Sequence, residues 1–254
     1  MSEKHYSAGY LESTGDFLKK LKTHSYSPFA KITEGTVLDL GCGTGIDAIN
    51  LAGMLGKGVH IVGMDHDPAL LAKATESAEG VSNVRFEQGE ATQLPFADGT
   101  LAGLRAERLV QHLAEPGLAF QEMYRVLAKG RPIALVETVW SSLIFYTRHT
   151  EIEQKISRFL TNNKVHNGWA AQRLAHDLTA SGFSDIRLET FCMVGRSLDD
   201  AQRYIWIGHI LDEMVARDFL TTAEFDVFSK TMAEADTNGH FLCSMNLVMA
   251  TAVK

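Results

Sequence analysis

Val37-Leu38-Asp39-Leu40-Gly41-Cys42-Gly43-Thr44-Gly45, running on into Ile46-Asp47-Ala48-Ile49-Asn50-Leu51-Ala52, is the stretch from which the fold can be read. A short β-forming run stops at three glycines on alternate positions, and a proline-free, helix-compatible segment follows. Strand, tight turn and helix in that order aim the helix N-terminus at whatever lies outside the sheet. Gly41, Gly43 and Gly45 admit backbone angles and a closeness of approach that a Cβ would block. A ligand can therefore lie against main-chain N–H groups. The pattern is G-x-G-x-G, whereas the dinucleotide fingerprint is G-x-G-x-x-G, and the position three beyond Gly43 is Ile46.

Outward from that turn, strand and helix alternate. The first strand covers roughly 36–40 and its helix runs to about Leu55, where Gly56-Lys57-Gly58 ends it. Val59–Met64 is a second, largely apolar strand, as expected where both sheet faces are covered. Asp67 can cap the next helix, with Pro68 in its first turn. Asn83–Gln88 and Leu101–Arg105 are further strands. Between Pro116 and Lys129-Gly130, Phe120, Met123, Tyr124 and Leu127 mark one helical face. Pro132–Glu137 is the fifth strand. This rhythm predicts a doubly wound, mostly parallel sheet, seven-stranded once 183–194 and 240–253 are counted. Upstream, residues 6–24 read as an amphipathic helix with Leu11, Leu18 and Leu21 on one side and Lys19, Lys20 and Lys22 on another. It is either a packing helix or a flap whose Tyr6 and Tyr10 cover a ligand. Downstream, helices are predicted over 141–164, from Gly168-Trp169 to Ser181-Gly182, over 199–217 and over 222–235. One domain results: an N-terminal flap at 1–35, a binding half at 36–138, and a helical cap from 139–166 and 198–236.

The chain has 254 residues, 45% of them hydrophobic, enough for one sizeable core. Its net charge of −7 and lack of a dense basic tract argue against nucleic acid. Cys42, Cys192 and Cys243 are odd in number and far apart, without metal or disulfide spacing. No signal peptide or long apolar span is evident, so a cytoplasmic protein without a membrane partner or bound metal is expected.

Ligands of open α/β sheets bind beyond the carboxyl ends of the strands. Those ends are Gly41–Gly45, Asp65, Glu90, Arg105–Arg108 and Glu137-Thr138. Asp65, twenty residues past Gly45, has the spacing of an acid that accepts both hydroxyls of a ribose. A helix cap, its alternative role, suits Asp67 better. Glu90 is either an acceptor for an adenine amine or a solvent-facing turn residue. Arg105-Ala106-Glu107-Arg108 is either a surface ion-pair cluster or, by its position, a set in which Glu107 reaches the site and Arg108 anchors it or an acidic substrate.

VLDLGCGTG, IVGMDHDP, FEQGEATQLPFADGT and ERLVQHLAEPGLAFQEMYRVLAKG resemble the successive motifs of class I S-adenosylmethionine-dependent methyltransferases. Their small-molecule group, which includes the ubiquinone and menaquinone biosynthesis enzymes, is the nearest type. The resemblance covers 37–137 continuously. It implies that Gly41, Cys42 and Gly43 face the methionine part of the cofactor. Asp65 would hold the ribose, with His66 beside the adenine, and Glu90 with Ala91 would read that base. Glu107 and Arg108 would line the sulfonium end; Tyr10 joins this set only through the flap reading of residues 6–24. Glu90 stands where the family usually has Asp. Leu101-Ala102 and Lys129-Gly130-Arg131 also depart from the family pattern, away from the expected contacts.

Methyl transfer from a sulfonium is an in-line displacement in which the protein mainly aligns nucleophile, methyl and sulfur while excluding water. A base is needed only for an acceptor that arrives protonated. Glu107, His149 and His209 are candidates for the catalytic role, with His166 and Glu137 behind them; no motif fixes any of them. Trp140, Phe145, Tyr146, Phe159, Trp169, Tyr204 and Trp206 give the cap an aromatic character suited to a small organic acceptor. A monomer or homodimer is expected. Two other readings stay open: an NAD-dependent oxidoreductase and a non-catalytic S-adenosylmethionine-binding module.

Overall fold

A computed structural model of the protein describes residues 18–254. Seven strands form one sheet. They are β1 (Gly35–Leu40), β2 (Val59–Asp65), β3 (Val84–Gln88), β4 (Leu101–Glu107), β5 (Pro132–Phe145), β6 (Ser184–Gly195) and β7 (Cys243–Val253), in the order β3-β2-β1-β4-β5-β7-β6. The five strands of the first half are mutually parallel, and β7 runs antiparallel to both β5 and β6. Eight helices of seven residues or more accompany them among the described residues. These are α1 (Lys19–Ser25), α2 (Ile46–Leu55), α3 (Pro68–Ser77), α4 (Pro116–Val126), α5 (Thr150–Phe159), α6 (Ala170–Ala180), α7 (Ile207–Ala216) and, longest, α8 (Thr222–Thr237).

The alternation of a strand decides how the two faces are covered. Leu38 and Leu40 of β1 join Val62 and Met64 of β2 in a core that α4 and α6 close with Phe120, Met123, Leu174 and Leu178. Val37 and Ile61 turn the other way, onto Phe29, Ala48 and Leu51. Asp67 caps α3 as expected, accepting from Ala69 N at 2.8 Å. The third core lies between the cap helices and β5, β6 and β7. Trp140, Phe145, Phe159, Met214 and Phe228 pack with Leu18 and Leu21, so α1 is built into the cap rather than laid on the sheet edge.

Two predicted helices are corrected. β5 does not end at Glu137 but continues to Phe145, so the start of the expected 141–164 helix is strand. The cause is long-range pairing: Val139 lies opposite Asn246 and Phe145 opposite Cys243 on β7, with a bulge between. The 199–217 helix is interrupted. A short run, Leu198–Asp200, passes into a π turn at Ala201–Ile205, and Trp206 adopts the left-handed region at φ 64° before α7 starts. Of the cap aromatics, Trp140, Phe145 and Phe159 are buried, whereas Tyr146 and Trp169 are about half exposed. Tyr6 and Tyr10, with the start of the expected 6–24 helix, lie outside the described residues.

Candidate active site

The glycine turn leaves β1 with Gly41, Gly43 and Gly45 all at positive φ. Gly45 must be glycine on two counts. A Cβ there would sit 2.6 Å from the Phe86 ring and 2.8 Å from the Ala74 methyl, and φ is +80°. The turn's amides are used internally: Gly41 N and Cys42 N donate to Met64 O at 2.7 and 3.0 Å, and Gly45 N donates to Cys42 O at 2.9 Å. Gly43 N donates to the Asp65 carboxylate at 2.8 Å. The open main-chain cradle expected from the glycines is therefore corrected at these four positions. Backbone bonds fix the turn's shape, and the side chains around it supply the charge.

A cavity of about 70 Å³ opens below the turn, lined by Gly41–Thr44, Ile46 and Asp47, with Lys22, Arg105, Glu107 and Arg108 around it. Its wall is a buried charge network. Arg105, 1% exposed, donates to Asp39 at 3.1 Å, to Glu107 at 2.5 Å and to the Ser25 hydroxyl at 2.9 Å. It also lies 3.4 Å from Asp47 and stands over the Tyr26 ring. Lys22, on α1, donates to Asp47 at 2.5 Å and to Glu107 at 3.0 Å. The Tyr26 hydroxyl donates to Asp47. Three carboxylates thus share two buried cations, with Arg108 3.5 Å from Glu107 at the rim.

The ionisations follow from that arithmetic. Burial pushes Asp39 up to about 6, against the pull of Arg105 and with Asp47 adding to the rise. Burial also opposes ionisation of Asp47, but Arg105 and Lys22 outweigh it and hold that carboxyl below the usual range. Glu107 is likewise lowered: its burial cost is outweighed by Lys22, with Arg105 and Arg108 assisting against Asp47. Even so, Asp39 Oδ2 and Glu107 Oε1 are buried with no hydrogen-bond partner among the described residues. A buried, unsatisfied carboxylate oxygen on a cavity wall is an acceptor held ready for a donor. The Cys42 thiol is pushed far up by burial and by Asp39 and Asp65, so it packs as a neutral group and is no nucleophile.

Asp65 is buried at the end of β2. Besides Gly43 N it accepts from Asp67 N at 3.1 Å, and His66, largely exposed, stands 3.2 Å away. Glu90 is exposed beyond β3 and Ala91 is buried behind it. After β4, Arg108 takes φ 52° and its N–H donates to Val136 O at 2.7 Å. Leu109 then presses against Gly41, where a Cβ would meet it at 3.1 Å. Three groups fasten that segment from behind. Glu137 accepts from Val110 N at 2.6 Å, the Trp140 indole donates to Gln111 Oε1 at 2.6 Å, and Asn167 N donates to Gln111 O at 2.9 Å. Glu137 is pushed up to about 8, chiefly by burial.

The expected residues divide accordingly. Gly41, Cys42, Gly43, Glu107 and Arg108 share the cavity, and Asp65 and His66 adjoin it through Gly43. His149 does not belong to it. Its ring bonds Thr231 at 2.9 Å beside a separate cavity of about 730 Å³ lined by Tyr146, Arg148 and Arg196. Tyr146 is nine residues beyond Glu137, up to roughly 30 Å at the rise of a strand. His209 stacks on Trp206 at 4.7 Å and lies 4.0 Å from Glu213, within the cap. Arg105 is also corrected, from a surface ion pair to a buried hub. Lys22, Tyr26, Asp39 and Asp47 were not expected at the site. Only the apolar neighbours Leu18 and Leu21 hinted that α1 was buried. No group of three or more His, Cys, Asp or Glu side chains is placed to hold a metal among the described residues, and no helix there is long and apolar enough to cross a membrane.

Comparisons with known proteins bear on the family and the fold. A family model described as "Methyltransferase domain" matches residues 33–187. An arsenite methyltransferase of Halobacterium salinarum is 35% identical over 114 residues, 44% of this chain and 29% of the relative. A demethylmenaquinone methyltransferase of Lactococcus lactis is 29% identical over 123 residues, 48% of this chain and 49% of the relative. The matched stretch thus spans half or less of each of these relatives. Among solved structures, phosphoethanolamine N-methyltransferase 2 of Haemonchus contortus in complex with S-adenosyl-L-methionine superposes with a TM-score of 0.60 at 16% identity, covering 96% of this chain and 56% of that one. At that identity the likeness speaks for the fold alone. The matched segment, strand order and glycine turn together make this chain a member of the class I S-adenosylmethionine-dependent methyltransferase family.

Proposed function

We propose that this protein transfers a methyl group from S-adenosylmethionine to an O, N or C nucleophile of a small organic molecule. The observation that carries the reading is the gathering at adjoining strand ends of the glycine turn and the unsatisfied Glu107 around one cavity, with Asp65 bonded to the turn at Gly43. The residues fit the cofactor chemically. Glu107 Oε1 is a buried acceptor for an ammonium, and Asp65 carries two acceptor oxygens for a ribose diol. Each Asp65 oxygen accepts one backbone bond at present and has a second acceptor site for a hydroxyl, and Glu90 with Ala91 would meet the adenine.

The bound cofactor would supply the methyl on a positive sulfur, already activated for displacement. The chain then has three tasks: alignment, exclusion of water, and stabilisation of the positive end by Glu107 and the carboxylates behind it. The fastened segment 108–112 forms the wall on the acceptor side. Neither His149 nor His209 lines that cavity, so the reading rests on positioning. The relatives are named for demethylmenaquinone and for arsenite, acceptors too unlike to fix a size, and a small-molecule acceptor is expected here.

Calorimetric titration with S-adenosylmethionine, S-adenosylhomocysteine and NAD tests the reading. Binding of the first two and not of NAD is expected. Binding of NAD alone would overturn it in favour of a hydride enzyme. Transfer of labelled methyl to a panel of quinols, phenols and amines separates an enzyme from a binding module.

A further inference from the structure

α1 carries no part of the four motifs that place this chain in its family, yet it contributes one charged group to the cavity under the glycine turn. Lys22 is buried there, with its side chain only 11% exposed. Burying an ammonium is expensive unless every donor is used. Lys22 has three N–H donors and two partners, Asp47 Oδ2 at 2.5 Å and Glu107 Oε2 at 3.0 Å. The third donor remains, on a group that lines the cavity. Beside it is the complementary deficit, the buried Glu107 Oε1 that accepts from nothing. One spare cationic donor and one spare anionic acceptor on the same wall fit a zwitterion: a carboxylate and an ammonium on one carbon.

From this juxtaposition we propose that Lys22 is a specificity-determining residue: it receives the α-carboxylate of the cofactor's amino-acid end while Glu107 receives the α-ammonium. The proposal rests on the methyltransferase reading and adds to it a residue and a selectivity. The turn's amides at 41, 42, 43 and 45 are taken up internally, so they leave charge recognition to side chains. Arg108, the other cation on the cavity, stands at its rim after a left-handed residue and faces Glu107 Oε1 at 3.5 Å. Lys22 is the better placed because its two bonds hold the ammonium between α2 and β4. The same two bonds tie α1, and through Leu18 and Leu21 the cap, to the cavity wall. Filling the carboxylate position would therefore also brace the cap.

Three ligands and two variants decide it by calorimetry: S-adenosylhomocysteine, its decarboxylated analogue, and 5′-methylthioadenosine, which lacks the whole amino-acid end. The wild-type protein should prefer S-adenosylhomocysteine over the decarboxylated analogue by tenfold or more. Lys22→Gln should erase that preference while leaving affinity for 5′-methylthioadenosine within about threefold, and Lys22→Arg should restore part of it. A merely structural role for Lys22 would lower all three affinities together and would overturn the proposal. So would a wild-type protein that binds the acid and its decarboxylated analogue equally, a measurement that needs no variant to fold. If Arg108→Gln, and not Lys22→Gln, removes the preference, the carboxylate belongs to Arg108. A wild-type protein that binds none of the three ligands defeats the methyltransferase reading itself, a result distinct from all of these.

Discussion

Replacing Glu137 by glutamine isolates one ionisation from the rest of the fold. Glu137 is 1% exposed, its Oε1 accepts from Val110 N at 2.6 Å, and its Oε2 has no partner among the described residues. Burial is the main reason its carboxyl rises to about 8; the Val110 and Gln111 amides and the Arg108 charge pull it back, and Glu107 adds to the rise. In the unfolded chain the same group ionises at about 4.3. Between those two values the folded protein keeps a proton that the unfolded chain has released. Stability from this group is therefore whole below about pH 4 and drains away as the pH climbs toward 8. The limiting slope is about 1.4 kcal/mol per pH unit, so about 4 kcal/mol is lost between about pH 5 and pH 8. The amide introduced by Glu137→Gln still accepts from Val110 and cannot ionise, so it escapes that loss. Glu107 and Arg108, the charged groups facing the position, are common to both proteins and cancel in the comparison. Urea unfolding of both proteins, stepped from about pH 5 to pH 8, should show the variant level with or slightly below wild type at the acid end. It should then gain about 4 kcal/mol on wild type by the alkaline end. A stability difference flat to within about 1 kcal/mol across that range would refute a protonated Glu137 and the wall it holds.

Other substitutions probe neighbouring links. Arg105→Met leaves Asp39, Asp47 and Glu107 with Lys22 as their one buried cation and Arg108 at the rim, and breaking such a buried cluster on one side costs about 3–5 kcal/mol. Chemical denaturation measures it, and a loss under about 1 kcal/mol would mean that water reaches the cluster. Gly45→Ala forces a Cβ against Phe86 and Ala74 at φ +80°; strain at left-handed positions costs of order 1–3 kcal/mol, and overpacking adds to it. A lower melting temperature with S-adenosylhomocysteine affinity reduced in step is expected; an unchanged protein would mean the turn is more plastic than its contacts suggest. Asp65→Ala should cut affinity for S-adenosylhomocysteine by about a hundredfold or more, the worth of two charge-assisted bonds, while circular dichroism stays that of a folded protein. Retained affinity would move the ribose elsewhere. Trp140→Phe leaves Gln111 Oε1 buried without its donor, at about 1–3 kcal/mol, read by thermal unfolding.

What the sequence disclosed and what it withheld separate along one physical line. The glycine turn, the β/α alternation, the Asp67 cap and the halt at Gly56 are written in neighbouring residues, because periodicity, φ preference and capping act over a few positions. The extension of β5 through Trp140–Phe145 is not. Those residues have no strict alternation, and β7, a hundred residues downstream, is what holds them extended. The break at Trp206 gives no sign either, because neither glycine nor asparagine stands at the left-handed position. Of the candidate site, the residues at strand ends were legible because position in an open sheet fixes where a ligand can lie. The two histidines were not placeable, because a histidine carries no local marker of the pocket it faces.

Lys22 shows the deeper reason. On a helical wheel, Lys22 falls one turn after Leu18, at the edge of the apolar face, while Lys19 and Lys20 lie farther round, but nothing local names the acids it meets. Its burial follows from α1 being enclosed on two sides, by the cap through Leu18 and Leu21 and by the cavity wall through Asp47 and Glu107. Hydrophobic burial leaves a periodic trace because many residues must agree on one direction. A buried ion pair needs only two residues to meet, here 25 and 85 positions apart, and leaves none. Charge bookkeeping could have raised the question. Asp39, Asp47, Arg105 and Glu107 lie on a parallel sheet and on the helix that follows its glycine turn, where both faces are covered. Three acids and one cation are costly to bury together unless a further positive charge joins them or a carboxyl keeps its proton. The sequence poses that cost; only the fold assigns the further charge to Lys22, and the preference for a carboxylate-bearing ligand would be its functional trace.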